Sequence, residues 1–400
     1  MSAPLQISAS LRLRRSVTLS ALALSALLAG CATKLPETSV KGLQQGSAGK
    51  VIGLDTAAAS STPQPLTLPT PGADHSAELA RLLAAPVSAD AAVRIALLNN
   101  PDLQVMLGTE GLSISDQLTD KAPAKLKARK QITQLSADTR KAWINAVAAA
   151  ESVTALQAAR LAAENSGELA RRLARVGNWS RLQQARQQVM LLEAAADLAR
   201  AQDRAFAARE KLVVLMGLWG PQTAFALPAA LPALPEAPRD FPDIEQRSLE
   251  AREDLRIARL QLQRKEAERH IKRPADLWGS MEDTAALRGM AVQARSDARL
   301  SYQRYRSRFD LARLHQNEVQ PLRAFINDEM VLRYNGMLSS VFDLLADTKL
   351  KAQATNAEVE ARRDFWLADT DLQTLLAGVA PTLADEAGKA ASAAAASPAH

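Results

Sequence analysis

The sequence predicts an all-α protein built from two tandem copies of a long antiparallel helical hairpin. Three runs, residues 124–176, 180–216 and 340–377, contain no Pro and only one Gly between them. At about 1.5 Å per residue, each run is far longer than an average globular helix of about 12 residues. Two breaks in the helical runs repeat the same order, a Gly followed three residues later by a Ser. Length and repetition together indicate duplicated coiled-coil-like hairpins.

The N-terminus predicts a lipoprotein. Three Arg precede an apolar run over residues 17–28, and small residues precede Cys31, the only cysteine in the chain. This order is typical of a signal peptide over residues 1–30 that ends in a lipobox; the alternative is an ordinary secretory signal with a chance cysteine. We expect acyl chains on Cys31 to anchor the mature chain in a Gram-negative periplasm. Ala32 replaces the Asp that would retain a lipoprotein at the inner membrane, so the outer membrane is favoured.

Composition predicts the organisation of the remaining chain. A flexible linker over residues 31–75 is rich in Ser, Thr, Pro and Gly, and an Ala/Ser tail occupies residues 381–400. Two helical repeats, residues 76–220 and 243–380, are joined by a strap over residues 221–242. Because the strap contains six Pro, we expect it to be neither one helix nor a central strand.

The first repeat opens with a predicted short helix over residues 89–103. This helix ends in the sequence Pro-Asp-Leu at 101–103, and Glu-Asp-Leu at 253–255 stands at the matching place in the second repeat. Both pairs of landmarks, these triplets and the two breaks, recur after roughly 150 to 160 residues. That period is too long for a solenoid repeat, so it indicates a duplicated half.

Each break carries the signals that stop and start a helix. Gly177 and Gly336 are expected to adopt the left-handed conformation that ends a helix. A Ser then caps the next helix through its hydroxyl group. Two patterns fit a capping box, the second more loosely than the first: Ser180 with Gln183, and Ser340 with Asp343. We therefore predict tight reversals at both tips.

The helices that follow the breaks carry seams of mostly small residues at coiled-coil spacing. The first seam comprises Leu191, Ala195, Leu198, Ala205 and Leu212, and the second comprises Ala354, Ala357, Ala361, Phe365, Ala368, Leu372 and Leu375. An ordinary helical-bundle core would explain both seams equally well. In the second repeat, Pro321 is expected to bend the helical run over residues 291–334.

Charge and motif content exclude several functional classes. The whole chain has a net charge of +6, and removal of the three Arg in the signal peptide leaves +3, which is too mild for nucleic-acid binding. No nucleotide-binding, nucleophile-elbow or metalloprotease motif is present. Of the four His, His75 and His400 lie in predicted tails, and His270 and His315 lack a second ligand at helical spacing. We expect no catalysis, no cofactor and no metal site.

Four segments of the sequence resemble the TolC-like outer membrane efflux protein family, in particular its lipoprotein members. They are residues 91–103 (AAVRIALLNNPDL), 177–185 (GNWSRLQQA), 333–345 (RYNGMLSSVFDLL) and 363–372 (RDFWLADTDL). These four segments are most similar to those of family members that accompany copper or other heavy-metal efflux systems. The resemblance spans most of residues 89–378.

The resemblance implies a homotrimer whose long helices form a periplasmic tunnel. The tunnel would export metal ions or small toxic compounds, and its tips would dock onto a membrane-fusion adaptor above an inner-membrane pump. The residues that it places at the adaptor-facing end are Gly177, Ser180, Leu182, Gly336, Ser339 and Val341.

The sequence departs from this family where a transmembrane barrel is expected. Family members insert two strands in each half, and a membrane strand needs about 9 to 11 residues of alternating polarity. Neither residues 104–125 nor residues 268–290 provide such a stretch. We therefore expect that the strands are lost, so a conducting assembly would need a full-length paralogue in a mixed trimer. The alternative function is a non-conducting structural or assembly lipoprotein derived from the family.

Overall fold

The computed structural model describes residues 75–109, 122–268 and 274–380. The helices are α1 (Ser76–Leu83), α2 (Ala89–Asn99), α3 (Pro101–Thr109), α4 (Ala122–Arg175), α5 (Arg181–Met216), α6 (Ile244–Ala251), α7 (Glu253–Glu268), α8 (Pro274–Leu314), α9 (Gln320–Asn335) and α10 (Val341–Leu376). A 3₁₀ turn (Gly220–Thr223) follows α5, and a π-helix (His315–Val319) joins α8 to α9. No β-strand occurs in these described ranges, and the all-α prediction is confirmed.

The long helices form one layer in the order α5, α4, α10 and then α8 with α9. Helix α4 packs along both α5 and α10, and α10 packs along α8 and α9. With 54 residues, α4 is about 80 Å long. Within the described chain no substantial contact joins α5 to α8 or α9. These helices are therefore the two open edges of the layer.

The two repeats share a common register. Helices α5 and α10 each have 36 residues, and their first residues, Arg181 and Val341, are 160 positions apart. Short helices precede each long hairpin in both repeats, α2 and α3 in the first and α6 and α7 in the second. The predicted duplication of helical hairpins is confirmed.

The apolar core lies where α4, α8 and α10 meet the short helices. Phe365 of α10 is its centre, with ring centroids 5.6 Å from those of Tyr305 and Phe309 and 5.0 Å from that of Trp366. Trp143 of α4 is also buried in this cluster. Large aromatic side chains dominate the burial energy of such a core.

The Pro-rich segment that connects the repeats packs against this core without forming a helix over residues 224–243. Its backbone is held by long side chains of the layer. The indole Nε1 of Trp366 donates a hydrogen bond to the carbonyl of Pro232 (3.0 Å), and the carboxylate of Glu151 accepts one from the amide of Leu231 (3.1 Å). These bonds satisfy backbone groups that a Pro-rich chain cannot pair with itself.

Two glycines that follow α5 and α10 make close contacts that no sequence pattern predicts. Gly217 follows α5 with φ of 64°, and Gly378 lies two residues after α10 with φ of 95°. A Cβ atom on Gly217 would lie 2.3 Å from the carbonyl oxygen of Asn99, and one on Gly378 would lie 2.1 Å from that of Ala251. The end of α5 thus packs against the break between α2 and α3, and the end of α10 packs against the break between α6 and α7. Only Gly fits at these two contacts.

A buried carboxylate lies beside the second of these contacts. Glu253, the first residue of α7, is 1% exposed. One of its carboxylate oxygens is 3.3 Å from a guanidinium nitrogen of Arg129 and 3.7 Å from one of Arg256. Burial raises the pKa of Glu253 above its ordinary value because the neutral form loses less solvation than the anion.

The interruption that Pro321 predicts in the second repeat takes the form of a π-helix. Pro321 is the second residue of α9, directly after the π-helical turn His315–Val319. Proline has no amide hydrogen and its ring crowds the carbonyl four residues earlier, and the wider turn accommodates both effects. The first repeat lacks this Pro, and its α4 continues without a break.

The predicted seam positions coincide only partly with the positions that are buried. In α5, Leu198 and Leu212 are buried as expected. In α10, Phe365 and Leu372 are buried, but so are Ala352 and other residues off the predicted seam. The reason is that α10 has packing partners on both sides of the layer, whereas a single seam accounts for one partner.

Helices occupy all described residues of the two segments in which strands were sought. Helices α3 and α4 cover the described part of residues 104–125, and α7 and α8 cover that of residues 268–290. Residues 110–121 and 269–273 lie outside the described ranges. Of the helices in the described ranges, none combines the length and the apolar character that crossing a membrane requires.

Candidate functional site

Both hairpin tips end their first helix with the same hydrogen-bonded turn, a Schellman motif. At the first tip the amide of Asn178 donates to the carbonyl of Leu173 (3.0 Å), and Gly177 has φ of 80°. At the second tip the amide of Leu338 donates to the carbonyl of Arg333 (2.8 Å). The two turns are 160 residues apart, as are the helices that follow them.

The left-handed residue at the second tip is Met337 rather than the predicted Gly336. Met337 has φ of 60°, whereas Gly336 has φ of −79°. The register explains the error, because the position that matches Gly177 is Met337, and Gly336 matches Val176. The prediction of tight turns is correct, but Gly336 is not the residue that requires a positive φ.

Both predicted capping boxes are confirmed. The hydroxyl of Ser180 accepts a hydrogen bond from the amide of Gln183 (3.2 Å), and the Gln183 side chain accepts one from the amide of Ser180 (3.0 Å). Ser340 and Asp343 make the same reciprocal pair at 3.2 and 3.0 Å. Helices α5 and α10 therefore start at fixed positions, which fixes the residues that each tip presents.

The two tips lie side by side at one end of the layer. The rings of Trp179 and Phe342 stack with centroids 3.9 Å apart and an interplanar angle of 27°. Further along the same helices, Lys349 of α10 lies 3.5 Å from the carboxylate of Glu193 of α5. The contacts join the first repeat to the second, so the tips form one composite surface.

The six residues that the sequence resemblance places at the adaptor-facing end all belong to this composite surface. Leu182 is exposed, whereas Ser339 and Val341 are half-buried. Gly177 and Ser180 act in the turn and in the cap, as described above. The contacts among the described residues do not test a docking role for any of these residues, so that role stays a prediction.

The most exposed apolar side chains of the two tips are not among the residues predicted from the sequence. Met337 is 94% exposed, Leu338 is 78% exposed and Val176 is 70% exposed. Turns normally carry Gly, Asn, Asp, Ser or Pro, so a Met-Leu pair in a turn was a signal available in the sequence. Exposed apolar groups on a turn are typical of a contact surface.

The two tips differ in charge. Residues 166–190 around the first tip have a net charge of +4, whereas the matching residues 326–350 around the second tip have −2. On α4, the single carboxylate of the first tip, Glu168, lies 3.0 Å from Arg171 and 2.9 Å from Arg172. Hydrogen bonding to Arg172 holds the pKa of Glu168 below its ordinary value. The composite surface is basic on one side and acidic on the other.

No group of three or more His, Cys, Asp or Glu side chains with metal-binding geometry occurs in the part of the chain that the structure describes. His315 lies in the π-helix, and the ring nitrogen Nδ1 of this residue is buried without a hydrogen-bond partner. The predicted lipidation site, Cys31, lies outside the described residues.

The fold is similar to those of solved outer membrane channels. It matches the CmeC outer membrane channel of Campylobacter jejuni with a TM-score of 0.50 and 12% identity, over 67% of this chain and 68% of that chain. For CusC, which was solved in a study of transmembrane channel formation, the TM-score is 0.53 at 10% identity, over 72% of this chain and 92% of that chain. For the Vibrio cholerae outer membrane protein VceC it is 0.51 at 14% identity, over 70% and 76%.

By sequence, no protein-family profile and no curated protein matches the chain. The structural likenesses confirm the fold that the sequence resemblance implied, the helical architecture of TolC-like outer membrane channels.

Proposed function

We propose that this chain is the tunnel component of a tripartite efflux system, working with a periplasmic adaptor and an inner-membrane pump. It is a periplasmic lipoprotein, anchored to the outer membrane through Cys31 after removal of residues 1–30. Transport is passive, and the chain needs no catalytic group or cofactor. The cargo is a metal ion or a small toxic compound, the class that the sequence resemblance implies.

The observation that carries this proposal is the open layer, whose two apolar edges have no partner helix among the described residues. Helix α5 exposes Leu182, Val189, Leu192, Phe206 and Val214. Helices α8 and α9 expose Leu300, Leu311, Leu314, Leu322, Phe325 and Leu332. Contiguous exposed apolar surface of this kind is rare on a protein that functions alone.

Other copies of the chain are the partners that suit these edges. When the α5 edge of one copy meets the α8/α9 edge of the next, the contact is heterologous and generates a ring once the rotation closes. Three copies are the number that the family resemblance implies, and a mixed ring with a full-length paralogue has the same geometry. A closed ring of upright helices encloses a central passage.

The composite tip surface supports the adaptor interaction. Rotation about an axis along the helices brings all the tips of a ring to one end, where they form a crown of turns with exposed apolar side chains such as Met337 and Leu338. A crown of this kind provides a repeated contact surface for a partner with matching symmetry. The opposite end, where α4 begins at Ala122 and α8 begins at Pro274, would face the outer membrane.

A gene deletion with complementation tests the proposal. We expect the deletion strain to become sensitive to a panel of metals and toxic compounds, and the wild-type gene to restore resistance. Phe206→Asp on the α5 edge should fail to complement because it places charge in the ring contact. Leu161→Asp is the matched control, because Leu161 is equally exposed on the inner helix α4. Unchanged resistance of the deletion strain under inducing conditions, with no adaptor co-purifying, would sink the proposal.

The second candidate function is a non-conducting structural or assembly lipoprotein. It is favoured by the helices that occupy the described residues of both segments in which strands were sought. Bilayer reconstitution discriminates between the two functions. Reproducible single-channel conductance from the purified lipoprotein, alone or with its paralogue, supports the tunnel, and its consistent absence supports the structural role.

A further inference from the structure

The first hairpin tip carries an excess of positive charge that ion pairs among the described residues do not compensate. Arg171, Arg172 and Arg175 lie on one face of α4, and all three approach the same carboxylate, Glu168, at 3.0, 2.9 and 3.9 Å. We call these three residues the arginine ridge. Their side chains are 49%, 71% and 72% exposed. One carboxylate cannot occupy the donors of three guanidinium groups, each of which has five N–H bonds.

An ordinary solvated helix face looks different, and the same helix provides the comparison. Three turns earlier on α4, Arg160 pairs with Glu164 at 2.7 Å, one cation with one anion. Such exposed pairs contribute little stability, and like charges at helical spacing are unfavourable. Stability alone therefore does not account for three clustered Arg at the tip.

Beside the ridge, the exposed side chain of Val176 directly follows α4, so that Glu168, Arg172, Arg175 and Val176 form one open face at the end of a single helix. Glu168 shows that a carboxylate fits between the guanidinium groups of the ridge. This face thus combines cationic donors with an exposed apolar side chain, as a site for an acidic amphipathic segment would.

The neighbouring second tip decides which kind of partner fits. Its net charge is −2, with the carboxylates of Asp328, Glu329, Asp343 and Asp347. An anionic lipid surface that approached the tips end-on would be attracted by the first tip but repelled by this acidic tip. A protein with acidic side chains opposite the first tip and basic ones opposite the second would be attracted by both.

We propose that the arginine ridge, with the neighbouring Val176, forms a docking surface for an acidic segment of a partner protein, whose carboxylates take the place of Glu168. This inference rests on the proposed function, in which the tips contact an adaptor, and it specifies the charge that the adaptor presents. In the ring, the ridge would recur once per copy and would set the rotational register between the tunnel and the adaptor. Steering by these charges makes association dependent on salt.

The test uses the full lipoprotein in detergent and the adaptor that co-purifies with it, with the dissociation constant measured at low and at physiological salt. We expect the double variant Arg172→Glu with Arg175→Glu to bind the adaptor about tenfold or more weakly. Arg160→Glu, on the same face of the same helix, is the matched control and should bind like the wild type. Circular dichroism verifies that each variant is folded.

A second variant separates docking from a structural role. Glu168→Gln removes the carboxylate that competes with the partner, so we expect adaptor binding to become about threefold tighter. If the ridge only stabilised the hairpin, Glu168→Gln and the double Arg variant would shift the melting temperature in the same direction and leave adaptor affinity unchanged.

Two further probes address the class of partner. Poly-L-glutamate should compete with the adaptor for the wild type but not for the double Arg variant. Vesicles of phosphatidylglycerol and phosphatidylethanolamine should not displace the adaptor from the wild type. Displacement of the adaptor by these vesicles would overturn the assignment to a protein partner.

The possible failures are distinguishable. Adaptor binding that is equal in the wild type and the double Arg variant and insensitive to salt would refute the ridge while leaving the tunnel proposal intact. If the wild type recovers no adaptor at all, both the tunnel proposal and the ridge are wrong.

Discussion

Helices α5 and α10 occupy equivalent places in the two repeats, yet they bury different surfaces. Both have 36 residues and start with a Ser capping box. Helix α10 lies inside the layer and buries residues on both sides, whereas α5 lies at an edge. Phe206 of α5 and Trp366 of α10 share a position, but Phe206 is 64% exposed and Trp366 is 5% exposed. Duplication fixed the backbone, and the position in the layer decided which side chains are buried.

This difference makes the α5 edge the more informative surface. Residues of α10 that face a neighbour in the chain have a structural explanation. Within the described residues, Phe206 and the other exposed apolar residues of α5 have no such neighbour, and the proposed ring would supply one. Substitutions at equivalent positions of the two repeats test this contrast.

The largest effect is expected at the shared Phe206/Trp366 position. Trp366→Ala removes a buried aromatic group and its hydrogen bond to Pro232, and should lower the free energy of unfolding by about 3 to 5 kcal/mol. Phe206→Ala should change it by less than about 1 kcal/mol, because the side chain is exposed in one copy. Urea unfolding of dilute protein measures both. Equal losses for the two variants would mean that α5 is not an open edge.

The next effect concerns the glycines that follow α5 and α10. Gly378→Ala combines a positive φ with a Cβ placed 2.1 Å from the carbonyl oxygen of Ala251, so we expect a loss of about 3 kcal/mol. Gly217→Ala, at 2.3 Å from a carbonyl, should lose slightly less. Gly289→Ala is the control, since nothing lies within 4 Å of its Cβ position, and should gain about 0.5 kcal/mol. Thermal unfolding that ranks Gly289→Ala beside the other two would contradict the close packing of these ends.

A smaller and opposite pair of effects is expected at the two tips. Gly177→Ala introduces a side chain at φ of 80° and should destabilise its hairpin by about 1 kcal/mol. Met337→Gly relieves the same strain at φ of 60° and should stabilise the second hairpin by up to about 1 kcal/mol. Hydrogen exchange near each turn reports these local changes. If Met337→Gly is destabilising, the strain assigned to Met337 is wrong. The Met337 side chain would then make stabilising contacts that are absent from a single copy of the chain.

The smallest effect is a pH dependence present only in the second repeat. The position of Glu253 is occupied by Pro101 in the first repeat, so only the second contains this buried carboxyl group. Because the pKa of Glu253 is raised in the folded chain, its contribution is fully present below the ordinary Glu pKa and is lost as pH rises through the folded value.

The Glu253→Gln variant tests this sign. Its stability relative to the wild type should improve between about pH 4 and pH 7, by about 1 kcal/mol or less. Guanidinium unfolding at several pH values, compared with Glu250→Gln on the neighbouring helix α6, provides the measurement. A wild type that gains stability over this range relative to Glu253→Gln would reverse the assigned direction.

The sequence was sufficient for the helices, the duplication and both capping boxes, because these depend on local signals such as Ser180 with Gln183. It was insufficient where the deciding partner is distant in the chain. The contacts of Gly217 and Gly378 with earlier carbonyl groups carry no local pattern, and a second adjacent Ser at the second tip obscured the register that places Met337 rather than Gly336 in the left-handed position. The charge contrast between the tips was visible in the sequence, but the gathering of three Arg around Glu168 and the stack of Trp179 on Phe342 required coordinates.

The most direct test of the ring is a disulfide across its predicted contact. Leu192 on α5 and Phe325 on α9 are both exposed and both lie twelve residues from their turns, counted from Ser180 and Met337. A rotation axis along the helices would bring such equal heights together between neighbouring copies. With Leu192→Cys and Phe325→Cys in one chain, mild oxidation in the cell envelope should yield a covalently closed trimer, and either variant alone should not. A double variant that remains monomeric after oxidation, while both engineered thiols are accessible to a reagent, would contradict the account.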